Sequence, residues 1–136
     1  MGMADLPRGY TVLAWLGLAA NLLAFPAVAL DLATDAHLKV LNLVMACSVA
    51  WPDAVVGVVA CAALLARRRW GIVVAIVALS LALAGSLPYV IVRLVLVPDQ
   101  RLPLALGASA FWLLNLLALI YWCRPVHRRR LAVYRV

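Results

Sequence analysis

Residues 40–70 read VLNLVMACSVAWPDAVVGVVACAALLARRRW. The stretch is apolar, is interrupted at Trp51-Pro52-Asp53, and ends in three arginines. A helix that crosses a bilayer needs roughly 20 apolar residues, so residues 40–66 are long enough to span and too long for one straight crossing. Proline removes a backbone donor and its ring disturbs the preceding turn. The sequence therefore predicts a second helix kinked or broken at Trp51-Pro52-Asp53. The Arg67-Arg68-Arg69 triplet marks one end of that helix, because basic residues collect in the cytoplasmic loops of membrane proteins.

Three more apolar runs flank this one, at residues 10–30, 71–97 and 104–123. Arg8 precedes the first, a polar stretch at 31–39 follows it, and a compact loop at 98–103 joins the third to the fourth. A chain that zigzags four times places the second arginine triplet, Arg128-Arg129-Arg130, on the same side as the first. The expected fold class is all-α: an integral membrane four-helix bundle forming one transmembrane domain over residues 1–136. Of the 12 Lys and Arg residues, Lys39, Arg93 and Arg101 fall at or near the far side and the other nine share the near side. That asymmetry predicts both termini in the cytoplasm of a multi-pass protein of the plasma (inner) membrane. Trp70 and Trp122 fall at the inner boundary, as interfacial anchors do.

Composition agrees. With 68% hydrophobic and 12% charged residues and a mean hydropathy of +1.09, the chain has too little polar surface to cover a water-soluble fold. The net charge of +7 would suggest nucleic acid in a soluble domain. Here the basic residues stand at the ends of apolar runs, so no nucleic-acid partner is expected. Arg8, the first apolar run and Ala27-Val28-Ala29 also imitate a cleavable leader, but the run exceeds the usual apolar length of about 7–15 residues. A retained first span is expected.

Neither cysteines nor histidines point to a cofactor. Cys47, Cys61 and Cys123 form no Cys-x-x-Cys pair. His37 and His127 are expected on opposite sides of the membrane, where they cannot share a haem or metal within one subunit. No cofactor or metal is expected.

The polar residues inside the spans are the candidates for function. Counted from the inner boundary at helical rise, Asn21 lies about 20 Å up, Asp53 about 21 Å, Ser109 about 22 Å and Ser86 about 25 Å. Four helices could thus each contribute one polar side chain to a single layer, a candidate substrate or ion site. An ionisable residue in hydrocarbon costs at least roughly 2.5 kcal/mol on insertion scales, so Asp53 reads as a functional residue facing the interior. The opposing reading makes Pro52 and Asp53 the first turn of a shorter helix, where the dipole favours negative charge, with 40–50 a separate interfacial or re-entrant helix. Asn21 and Ser109 read equally well as interhelical hydrogen-bonding groups.

A second polar group is expected at the outer lip. Arg93 stands about 33 Å above Gly71 in an ideal helix and can reach Asp31 or Asp35 at the end of the first span. The triplets Arg67, Arg68, Arg69 and Arg128, Arg129, Arg130 suit both topology setting and contact with anionic lipid headgroups at the cytoplasmic face. Small residues four apart, such as Gly57 and Cys61 or Ala78 and Ala82, permit close helix packing and association with other membrane proteins or with itself.

Small multidrug antiporters are similar in length and span count, but they carry an essential Glu in the first span, where this chain has Asn21 and no acid. The leading functional expectation is a non-catalytic accessory or scaffold subunit that binds partner membrane proteins, with the bilayer as its solvent. The alternative is a small oligomeric transporter or channel built on Asp53, with Pro52 and Pro88 as moving breaks. A lipid-modifying enzyme comes third and would need an acid–base pair, for which Asp53 and Tyr89 are the only candidates.

Overall fold

The computed structural model describes residues 8–35, 38–127 and 129, and every regular element among them is helical. Arg128, Arg130, His37 and the tail at 131–136 lie outside the described residues, as does the side chain of Arg8. Helices α1 (Arg8–Thr34), α2 (Lys39–Met45), α3 (Trp51–Leu65), α4 (Trp70–Leu96) and α5 (Arg101–Cys123) follow in order. A π-helical turn, Ala46–Ala50, joins α2 to α3. The long helices make four stretches long and apolar enough to cross a bilayer: Gly9–Thr34, Lys39–Leu65, Trp70–Leu96 and Pro98–Cys123. Helices suit such a sequence because each satisfies its own backbone groups where no water can.

Of the kink or break expected at Trp51-Pro52-Asp53, the break is absent. Ala50 and Trp51 both have right-handed helical dihedrals, and the chain passes from α2 through the π turn into α3 without interruption. The Trp51 N–H donates to the Ala46 carbonyl, five residues back. Widening the helix by one residue makes room for the Pro52 ring, which would otherwise press on the carbonyl four residues before it. Residues 40–50 are consequently part of the second long helix and not a separate re-entrant one. Pro88 likewise lies inside a continuous α4, and Pro26 inside α1.

The arginine triplet forms the turn between α3 and α4. Arg67 has a φ of 57°, the Arg67 N–H donates to the Leu64 carbonyl at 3.0 Å, and the Arg68 N–H donates to the Ala63 carbonyl at 2.8 Å. This is the six-to-one and five-to-two bonding of a Schellman cap, with arginine where glycine is usual. Its tightness brings α4 against α3 at once: a β-carbon on Gly71 would stand 2.9 Å from the Leu64 backbone nitrogen.

Helix α3 packs against both α1 and α4, and α5 packs on the far side of α4. The core is concentrated at the end that carries the arginine turn. Tyr10, Ala14, Ala60, Leu64, Ile72, Ala75 and Trp122 form one buried cluster there. His127 is buried too, its ring 4.5 Å from that of Tyr121 and 5.7 Å from that of Trp122. Toward the other end the helices part, and a cleft opens between them. Leu16, Leu23, Val73, Leu114 and Ile120 are among the many large apolar side chains on the outer surface, as lipid solvation requires.

Candidate functional site: a cleft closed by a polar ring

The cleft has a volume of about 360 Å³ and lies between α1, the Lys39–Leu65 helix and α4, with Phe111 of α5 on one wall. That volume falls in the range of small-molecule sites. Its walls are mainly apolar, including Val28, Met45, Val49 and Phe111, and its polar lining consists of Asp31, Asn42, Asp53, Ser86 and Tyr89. Asp53 and Asn42 are eleven residues apart on one continuous helix, so the cleft extends about 16 Å along the bundle.

At the mouth, four side chains close a hydrogen-bonded ring. Arg93 donates to the Tyr89 hydroxyl one helical turn below it. That hydroxyl donates to Asn42 Oδ1 at 2.9 Å, and Asn42 Nδ2 donates to Asp35 Oδ2 at 3.1 Å. Arg93 Nη2 completes the ring by donating to the same Asp35 oxygen at 2.6 Å. Three elements are thereby tied together: α4 through Tyr89 and Arg93, α2 through Asn42, and the end of α1 through Asp35. Arg93 Nη1 also reaches Asp31 Oδ2 at 3.4 Å. The side chains of Arg93 and Asp35 are each only 11% exposed while Asp31 is 46% exposed, so the Asp35 pair is the desolvated one.

Local sequence explains the ring. Helix α1 runs on past Asp31, so both aspartates stand at its carboxyl end, where the dipole disfavours negative charge. Arg93 offsets them from the last turn of α4. Asn42 was passed over in the sequence because one amide in an apolar run carries little signal. Its clue was the spacing of Tyr89 and Arg93, four residues apart and hence on one helix face.

Asp53 lies deeper and is differently placed. Its Oδ1 is buried with no hydrogen-bond partner, and neither an arginine nor a lysine lines the cleft around it. The first turn of α3 is continuous with the π turn, so Asp53 does not occupy a free helix start where unpaired N–H groups would meet it.

The single polar layer expected from helical rise does not form. Asp53 and Ser86 line the cleft, whereas Asn21 and Ser109 do not. The reason is rotation about the helix axis, which rise alone does not specify. Asn21 Nδ2 donates back to the Gly17 carbonyl at 2.7 Å, and its amide packs where Gly57 of α3 leaves room. Ser109 is exposed on α5. Ser86 donates to the Leu83 carbonyl at 3.2 Å and accepts the Trp112 indole N–H at 2.9 Å, which fastens α5 to α4 beside the cleft. The Tyr89 hydroxyl shares the cleft with Asp53, but Asn42 and Arg93 occupy it.

Among the described residues, no three His, Cys, Asp or Glu side chains stand close enough to hold a metal ion. Cys61 is buried, while Cys47 and Cys123 are exposed on the outer surface. No family model, curated protein or solved structure matches the chain.

Proposed function

We propose that this protein is a small multi-pass membrane protein of the transporter class, which takes a small molecule into the cleft between α1, the Lys39–Leu65 helix and α4. Both termini and the Arg67-Arg68-Arg69 turn face the cytoplasm, so the Arg93 ring closes the cleft at the outer side. The observation that carries the reading is Asp53, which lines a ligand-sized space and whose buried Oδ1 has no hydrogen-bond partner among the described residues. Ionisable groups inside a span that lack a structural partner belong to substrate or ion pathways. The packed basic end and the looser outer end supply a fixed part and an opening part.

Access to the cleft tests this. In a chain whose native cysteines are replaced by alanine, Ala50→Cys on the cleft wall should react with a membrane-impermeant maleimide added outside proteoliposomes, and more slowly with the same reagent trapped inside. Labelling from neither face rules out a transported ligand at this site.

A second reading is favoured by α5. Among the described residues its main helix neighbour is α4, it reaches α1 through Trp122 against Tyr10, and none of the most apolar 18 residues of its span is buried. The accessory role, in which this helix meets the spans of a partner membrane protein, uses that face. Photo-crosslinking from Leu113 and Leu117 in native membranes should then give one discrete adduct, whereas a face that meets only lipid gives none.

A further inference from the structure

Building on the ligand-binding reading of the cleft, we propose that its ligand carries one protonated amine on a compact apolar body, with the ammonium group held by Asp53. Charge comes first. Two carboxyl groups line the cleft, Asp31 and Asp53. Asp31 has Arg93 at 3.4 Å, whereas among the described residues Asp53 has no ion-pair partner and its Oδ1 no hydrogen-bond donor. Asp31 shares Arg93 with Asp35 and is half exposed to solvent, so the carboxylate inside the cleft that calls for a cation is Asp53, and its complement is one positive charge.

The walls decide which kind of cation. A bare metal ion needs several oxygen ligands, about six for Na⁺- or Mg²⁺-like geometry and six to eight for Ca²⁺. The cleft wall includes Ala46, Val49, Ala50 and Ala82, which offer no side-chain oxygen, and the Ser86 hydroxyl already donates to the Leu83 carbonyl and accepts the Trp112 indole N–H. The Tyr89 hydroxyl and the Asn42 amide are engaged in the ring at the mouth. Such walls solvate hydrocarbon. An ammonium group requires only one carboxylate and is further favoured by aromatic faces, which Tyr89 and Phe111 provide on the same cleft. A space of about 360 Å³ holds an apolar body the size of one aromatic ring with a short chain.

Ring and carboxylate also divide the work. Arg93 carries one positive charge against the two carboxylates Asp35 and Asp31, so the mouth is net negative and admits a cation, while the carboxylate deeper in the cleft is Asp53.

Equilibrium dialysis of the full-length protein in nanodiscs against three matched probes tests the assignment: 2-phenylethylamine, 2-phenylethanol and 3-phenylpropionate. The amine should bind at least tenfold more tightly than the alcohol, and the acid should not bind. Asp53→Asn should bring the amine down to the level of the alcohol while leaving alcohol binding unchanged. Asp53→Leu should do the same with a melting temperature at or above that of the parent, which separates loss of the ligand from loss of the fold. Equal binding of amine and alcohol by the parent, or an amine preference that survives Asp53→Asn, overturns the amine assignment and leaves the cleft as a site for neutral molecules. Binding of none of the three, together with an unreactive Ala50→Cys, overturns the ligand-binding reading as well.

Discussion

The Tyr10 hydroxyl donates to the Leu64 carbonyl at 2.9 Å, a buried bond between the beginning of α1 and the end of α3. Leu64 lies in the last turn of its helix, where carbonyls lack intrahelical partners. That carbonyl also accepts the Arg67 N–H at 3.0 Å, so the Tyr10 hydroxyl takes its second lone pair and locks the first helix to the third. The Tyr10 ring meets that of Trp122 edge-on at 5.2 Å, which draws in α5 as well. Tyr10→Phe should cost about 1 kcal/mol, the net worth of one buried hydrogen bond. Tyr10→Ala should cost roughly 3–5 kcal/mol through the cavity it leaves. Thermal unfolding in detergent would show the two steps; equal losses would mean that the hydroxyl, and not the ring, makes the contact.

The ring at the mouth should behave as a unit. Removing Arg93 strands the desolvated Asp35, so Arg93→Met should destabilise by roughly 3–5 kcal/mol. Asp31→Asn should cost no more than about 1 kcal/mol, since that carboxylate is half exposed and solvent screens its pair. Tyr89→Phe breaks two bonds and should fall between. A double-mutant cycle on Arg93 and Asp35 should give strong coupling, and additive single effects would dismiss the ring as a structural unit.

Gly57 and Asn21 form a knob and a hole. A β-carbon on Gly57 would overlap the Asn21 amide, so Gly57→Ala should cost about 1–3 kcal/mol as overpacking. Asn21→Ala clears those atoms. In that background Gly57→Ala should be nearly neutral, and a full penalty retained there would place the clash elsewhere.

The left-handed backbone at Arg67 gives a test of the turn that leaves charge out. Arg67→Ala and Arg67→Gly lose the same guanidinium, but only glycine adopts a φ of 57° without steric cost. The glycine variant should be the more stable of the two by about 1 kcal/mol. Equal stabilities would show that this turn rearranges when the arginine is lost.

Orientation is open to chemistry on whole cells. Arg68 lies in the turn at the basic end and Asp99 in the short helical turn, Pro98–Gln100, at the other. In a cysteine-free background, Asp99→Cys should react with an impermeant maleimide on intact cells and Arg68→Cys only after permeabilisation. The reverse pattern would invert the topology.

The amino-acid sequence by itself determined the four long apolar helices, because a chain with 68% hydrophobic residues and short polar gaps has no other way to satisfy its backbone in lipid. It also marked both ends of the polar lip: Arg93 near the end of one helix and Asp31 with Asp35 at the end of another are matched by simple rise along the axis. Rise does not fix rotation, and rotation was settled only by packing in the tertiary structure. The π turn at Ala46–Ala50 adds a residue and turns the faces of α2 relative to α3 by as much as about 100°. No apolar periodicity reveals that shift in a run where almost every position is apolar. Close helix crossings at Gly57 and Gly71 then direct Asn21 into a helix contact, leave Ser109 outside, and open between α1, α3 and α4 the cleft that receives Asp53. Which polar side chains meet one another was therefore decided by the small residues between the helices, since in lipid it is van der Waals fit, and not the burial of apolar surface, that orients one helix against the next.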